Sequence, residues 1–283
     1  MQHQTSPIIQ PAELLALAND PNLVLIDASA GSKVRYDEKH LKGALYIDLN
    51  TDLADIKADY ADGGRHPLPT TDQFATVLGK FGISPSSHVV IYDDKNGSNA
   101  AARCWWMLKA IGHPKVQVLN GGFNAGIEAG FATRGEVETP KETGKYPIGN
   151  WNLTQAALSE VEEASKNGKQ LIIDVRDANR YAGLTEPIDL IAGHIPGAAN
   201  IPFTENLDSN GWFLAPDVLK AKYEKALTGF GAAQTIVHCG SGVTACHTLL
   251  AMAYAGLPIP KLYVGSWSEW SRNDKEMVLA PKG

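Results

Sequence analysis

The chain has 283 residues, of which 44% are hydrophobic and 20% charged, and carries a formal net charge of −6. That length suits two ordinary domains, and the acidic balance leaves no basic field to attract nucleic acid or an anionic membrane. The opening MQHQTSPIIQPAELL lacks a basic stretch leading into an apolar run, no apolar stretch reaches membrane-spanning length, and three cysteines (Cys104, Cys239, Cys246) make no disulfide framework, so a cytoplasmic protein is expected.

In chain order, LVLIDAS at 23–29 is an apolar, β-branched run ending at Asp27, the pattern of a buried parallel strand. HLKGALYIDL at 40–49 follows with a turn at Gly43. HVVIYDDKNG, from His88, is a strand ending at Asp93 that passes through a loop into an Ala-rich helix carrying Trp105 and Trp106. VQVLNGGFNAG at 116–126 is a strand, a small-residue turn and the aromatic anchor Phe123.

After a polar stretch rich in Gly and Pro, the same order recurs. LIIDVRD at 171–177 ends its strand at Asp174, HIPGAANIPF at 194–203 turns at Gly197, TIVHCGSGVTACH runs strand to loop to helix, and KLYVGSWSEW at 261–270 ends on Trp267 and Trp270. The second copy carries an insertion in YAGLTEPIDLIAG, and a loop added near strand ends is more often functional than structural. Strand and helix alternate in both copies, which implies α/β domains, each a parallel sheet flanked by helices, with ligands beyond the carboxyl ends of the strands. The expected organisation is an N-terminal domain over 1–135, a linker over 136–152 and a C-terminal domain over 153–283.

Within that plan Cys239 ends a strand and opens CGSGVT. Gly240 and Gly242 permit a tight loop whose N–H groups, from Gly240 through Ser241, Gly242 and Val243 to Thr244, can face the sulfur ahead of a helix N-terminus. A thiolate is expected there, with a lowered pKa and the reactivity of a nucleophile. A cysteine phosphatase would need an arginine where Ala245 stands. Zinc would need better spacing than His238, Cys239, Cys246 and His247 offer. A non-catalytic sulfur carrier is a further alternative, against which the intact loop argues.

The duplicated plan, HIPGA in the second half and CGSGVT after a strand together resemble two-domain rhodaneses over nearly the whole chain. The resemblance implies two tandem rhodanese-like domains, the N-terminal one an inactive copy with Asp93 in the place of Cys239. It implies a sulfurtransferase in which Cys239 becomes a persulfide and passes sulfur to a thiol, such as thioredoxin or a low-molecular-weight thiol, or to cyanide, with no cofactor and no metal. CGSGVT is similar to the 3-mercaptopyruvate subgroup, whereas thiosulfate-using members more often carry basic residues after the cysteine; thiosulfate is the alternative donor.

By the same resemblance Arg180 binds the donor carboxylate, though Ile188 and Asp189 stand where the subgroup places a second arginine. Ser241 donates to a departing enolate or is a plain turn residue. His66, in the first half, is an acid or relay reaching across from the other domain, with Asn50 at its partner's position. Thr244 is read equally as a residue that caps or starts the helix. Arg176 is read as a structural ion pair or, alternatively, as the donor-binding cation, Asp27 and Asp174 as loop hydrogen bonds, the tryptophans as packing, and Cys246 as core.

Overall fold

The computed structural model describes residues 5–279. They form two compact units. One comprises residues up to Ala54, Pro69–Asn152 and Asp208–Phe213; the other comprises Asp55–Leu68, Leu153–Leu207 and everything from Leu214 onward. Neither unit is one continuous stretch. The segment holding His66 belongs to the second unit, whereas the sequence reading placed it with the first half. The stretch 136–152, read as a linker, packs onto the first unit: Thr143 N–H donates to the Gly79 carbonyl, Tyr146 N–H to Ala75 and Asn152 N–H to Ala110.

The first unit runs β1 (Ile8–Ile9), α1 (Pro11–Ala16), β2 (Leu23–Asp27), α2 (Lys33–Glu38), β3 (His40–Leu41), β4 (Ala44–Tyr46), α3 (Thr71–Lys80), β5 (His88–Tyr92), α4 (Ala100–Ala110), β6 (Val116–Leu119), α5 (Gly122–Glu128) and β7 (Thr133–Arg134). Its sheet has the order β1-β6-β5-β2-β4, every pair parallel, and β3 pairs antiparallel with β7. The second unit runs α6 (Leu158–Asn167), β8 (Leu171–Asp174), α7 (Ala178–Tyr181), β9 (Ala199–Asn200), α8 (Pro216–Ala226), β10 (Thr235–His238), α9 (Ala245–Tyr254), β11 (Lys261–Leu262) and α10 (Ser266–Trp270). Its sheet, β11-β10-β8-β9, is also parallel throughout.

The two strand orders correspond. β6-β5-β2-β4 in one unit matches β11-β10-β8-β9 in the other, and the parallel bridge from Gln155 to Leu262 stands where β1 meets β6. In the first unit Asp27 is in register with Tyr92, and in the second Asp174 is in register with His238. The central strands are buried apolar runs because crossover helices cover both faces of such sheets. Helix α4, AAARCWWMLKA, is buried on nearly every side, as is α9, ACHTLLAMAY, and a helix apolar all round belongs inside a core. Each follows the loop at the end of a central strand, so the loops after β5 and β10 are held rigidly between a buried strand and a buried helix.

Candidate active site

β10 ends at His238, and Cys239, only 1% exposed, is the first residue beyond it. The chain leaves the sheet here because its backbone groups turn to other partners. The Cys239 N–H donates to Ser266 Oγ at 3.2 Å, its carbonyl accepts from the Trp267 N–H at 3.0 Å, and the Gly240 carbonyl accepts from the Ser268 N–H at 2.9 Å. The start of α10 therefore anchors the loop. Gly242 sits at φ +71°, and a Cβ there would lie 2.5 Å from the Val264 carbonyl oxygen, so only glycine fits this turn. Val243 and Ser241 are buried, and the Cys246 thiol donates to the Gly242 carbonyl at 3.3 Å. Thr244 immediately precedes α9 with helical backbone angles and makes no capping bond through its side chain, so of the two roles read for it, capping or starting the helix, it has the second.

The corresponding loop of the first unit shows what this geometry accommodates. There the Asp93 carboxylate is fully buried and accepts four backbone N–H groups: Lys95 and Gly97 on Oδ1 at 2.9 and 2.8 Å, Asn99 and Ala101 on Oδ2 at 3.0 and 3.2 Å. A strand-end loop leading into a helix thus closes around a carboxylate through four backbone N–H groups. Burial still raises the Asp93 pKa above its ordinary value, although the four N–H donors oppose the shift.

Beside the Cys239 loop stand two polar systems. In the first, His66 Nδ1 and Ser241 Oγ form a hydrogen bond of 2.9 Å, so His66 and Ser241 meet two residues beyond the thiol. In the second, arginines and carboxylates interlock. Arg180, on the one-turn helix α7, donates from Nη2 to Glu186 Oε1 at 2.7 Å and from Nε to Oε2 at 3.2 Å, and its Nη2 lies 3.4 Å from Asp189 Oδ2. Asp189, with a wholly buried side chain, forms a close ion pair with Arg65 and lies 3.4 Å from Arg272 Nη1. Glu186 also accepts the N–H groups of Ile188 and Asp189 at 3.1 and 3.0 Å. Burial raises its pKa, yet the Arg180 bond and these two N–H groups outweigh that and hold it below the usual carboxylate range.

The insertion YAGLTEPIDLIAG accordingly builds the electrostatics of the site. Arg65, Glu186 and Arg272 were not among the sequence candidates. For Arg65 the available signal was its place next to His66.

The other residues weighed from sequence lie as follows. Arg176 is fully buried and donates to Asp174 from Nε at 3.0 Å and Nη2 at 2.6 Å, to the Gly193 carbonyl at 2.7 Å, and stacks over Trp267 at 4.8 Å. Burial raises the Asp174 pKa, but His238 and Arg176 more than reverse this and hold it low. In the first unit Asp27 binds Arg35 Nη2 at 2.6 Å and the Ser29 N–H at 3.0 Å. The residues considered for zinc face different partners. His238 Nε2 lies 3.8 Å from Asp174, His247 packs edge-on against Phe203, and Cys246 turns back to Gly242. Trp105, Trp106, Trp267 and Trp270 are all core. Among the described residues no helix is long and apolar enough to cross a membrane.

Two parallel α/β units of matching strand order, one with a thiol at the strand-to-helix loop and one with a carboxylate, define a duplicated α/β protein with one cysteine-bearing loop. The chain belongs to the rhodanese family and is a sulfurtransferase: the Rhodanese-like domain model matches it twice, over residues 10–129 and 157–273. It is 38% identical to a probable 3-mercaptopyruvate sulfurtransferase of Pseudomonas aeruginosa, covering 97% of this chain and 98% of the relative. It is 35% identical to the thiosulfate sulfurtransferase of Cricetulus griseus, covering 88% of this chain and 85% of the relative. Among solved structures, SseA from Escherichia coli, described with the 3-mercaptopyruvate sulfotransferases, superposes with a TM-score of 0.75 at 30% identity, covering 94% of this chain and all of that one.

Proposed function

We infer that this sulfurtransferase takes its sulfur from 3-mercaptopyruvate, through a persulfide on Cys239. The observation that carries the choice of donor is the Ser241–His66 pair, 2.9 Å apart, next to the cysteine. The Cys239 thiolate attacks the donor's sulfur, the S–S bond forms as the C–S bond breaks, and the bonding pair leaves as the enolate of pyruvate. That enolate needs a hydrogen-bond donor at its oxygen and then a proton at carbon. The Ser241 hydroxyl supplies the first, with His66 positioned to restore a proton. Thiosulfate makes no such demand, since sulfite departs without protonation.

Arg180 holds the donor carboxylate, a task suited to a planar guanidinium. The loop amides from Gly240 through Thr244 are the donors available to the sulfur anion, a backbone cradle of the kind in which four N–H groups bind Asp93. In the second half-reaction an acceptor thiolate attacks the outer sulfur of the persulfide and Cys239 leaves as thiolate. The acceptor is a cytoplasmic thiol, thioredoxin or a low-molecular-weight one; cyanide serves in the same way.

Incubation with 3-mercaptopyruvate should add the mass of one sulfur atom at Cys239, and Cys239→Ser should remove both that adduct and turnover while leaving the circular dichroism unchanged. Steady-state kcat/KM for 3-mercaptopyruvate and for thiosulfate, with one thiol acceptor, decides the donor; a higher value for thiosulfate overturns the reading.

A further inference from the structure

The position at which sequence resemblance implied a second donor-binding arginine is occupied by Asp189, a residue of the wrong charge. Its carboxylate is wholly buried and turned onto Arg65, so the guanidinium missing from one segment arrives from another. Gly240, the residue after the thiol, locates both cations. A Cβ built there would lie 3.2 Å from Arg65 Nη2, and 3.3 and 3.6 Å from Arg180 Nη2 and Nη1. The two guanidiniums thus converge on the backbone beside Cys239.

The segment carrying Arg65 is fastened in place. Arg65 N–H donates to Ser268 Oγ at 3.0 Å and Gly63 N–H to Glu269 Oε1 at 3.0 Å. Gly64, at φ +82°, packs so closely on Gly265 that a side chain would strike its carbonyl oxygen. Arg65 is therefore set by backbone contacts to α10 and by its ion pair, and its side chain keeps 16% exposure. Arg65, Arg180, Arg272 and Arg176 face three carboxylates, Asp189, Glu186 and Asp174, so these residues together carry one positive charge in excess.

We propose that Arg65 is the second cation for the anionic sulfur donor and that Asp189 is the positioning residue that orients it. This rests on the donor reading above. Asp189 fixes one face of the guanidinium, and the remaining N–H groups beside Gly240 bind the donor carboxylate together with Arg180. Such charge-assisted hydrogen bonds are strong and directional, and a preset guanidinium loses little freedom when the donor arrives.

The test compares Arg65→Met and Arg65→Lys with the parent. The first readout needs no donor: the rates at which iodoacetate, an anion, and iodoacetamide, its neutral analogue, alkylate Cys239, followed by peptide mass. In both, the thiolate displaces iodide and forms a thioether. Loss of a unit positive charge beside the thiol should lower the iodoacetate-to-iodoacetamide ratio about tenfold in R65M. R65K should stay within about twofold of the parent, because the charge is kept. The second readout is turnover, where KM for 3-mercaptopyruvate should rise about ten- to a hundredfold in R65M with kcat changed much less.

An unchanged ratio, an equal slowing of both reagents, or an unchanged KM overturns the proposal, the equal slowing by assigning Arg65 a structural role only. If R65M does not fold, a tenfold or greater KM rise in R65K with its alkylation ratio kept supports a guanidinium-specific contact, and an unchanged KM in R65K overturns it. Failure of the parent to form a Cys239 persulfide with 3-mercaptopyruvate would sink the donor reading, while the alkylation ratio would still decide whether Arg65 presents its charge to the site.

Discussion

Arg180 binds Glu186 and, in the proposed function, the donor carboxylate, and the two roles can be separated by mutation. Its side chain makes two hydrogen bonds to Glu186, at 2.7 and 3.2 Å, and the Glu186 side chain is only 3% exposed. Replacing Arg180 by Gln therefore leaves a buried carboxylate short of a cationic partner, which costs about 1–3 kcal/mol of stability. Glu186 keeps Arg176 Nη1 at 3.3 Å and two backbone N–H groups, which places the cost toward the lower end. The same substitution removes a charge-assisted bond to the donor carboxylate, worth about 1.5–3 kcal/mol, or roughly ten- to a hundredfold in kcat/KM.

The double variant Arg180→Gln with Glu186→Gln neutralises both partners. It should recover about half or more of the lost stability in urea unfolding, since no buried charge is left unpaired, yet recover none of the lost kcat/KM. Because the contact is equally present in the bound ground state, the loss should fall on KM rather than kcat. If the double variant regains parental kcat/KM, Arg180 acts only by bracing Glu186 and the carboxylate-binding role is wrong.

Three further outcomes follow from the geometry. Ser241→Ala should lower kcat for 3-mercaptopyruvate about a hundredfold, as loss of one donor to a developing oxyanion does, while thiosulfate turnover changes by less than about threefold; an equal loss with both donors refutes the enolate role. Gly242→Ala should destabilise the protein by about 1–2 kcal/mol from left-handed backbone strain alone, with more from the Val264 contact, and should slow alkylation and turnover together; a variant with parental melting temperature and kcat/KM would show that the loop is not fixed by this turn.

Buried histidines should make the protein acid-sensitive. Burial lowers the pKa of His113 to about 4, of His247 to about 3, and of His238 below its ordinary value. With folded pKa values below the unfolded value of about 6.5, their stabilisation is complete above that pH and is lost as pH falls toward the folded values, by on the order of 1 kcal/mol per pH unit for His113 and for His247. The urea midpoint should drop steadily from pH 6.5 to 4.5, and a flat profile there contradicts the burial argument.

What could be read from sequence was what parallel sheets write into it. LVLID, HVVIY, LIID and TIVH are buried on both faces, so composition alone marks them, and their order predicts the matching order of both sheets. The loop after Cys239 was legible because glycine at 242 and the following helix constrain each other within a few residues. The ion-pair cluster was hidden for the opposite reason: Arg65 and Asp189 are 124 positions apart, and nothing local to either announces the other. Composition marked 136–152 as polar and irregular, but its docking depends on backbone N–H groups finding carbonyls at Ala75, Gly79 and Ala110, which carry no sequence signature. Thr244 failed as a cap because the helical turn begins before it, with its backbone already at φ −70°.

The two loops also explain why arginines are needed at all. In the first unit four N–H groups converge on Asp93, and its pKa is still raised by burial. Backbone donors in such a loop therefore orient an anion without fully offsetting its loss of water. In the proposed reaction the Cys239 thiolate meets a second anion, the donor carboxylate, and the same amides cannot serve both. The second unit places Arg180 and Arg65 beside Gly240, where the guanidiniums are proposed to hold the donor while the loop amides hold sulfur. Asp189 and Glu186 temper that charge, and an excess of one suits the monocarboxylate donor proposed above.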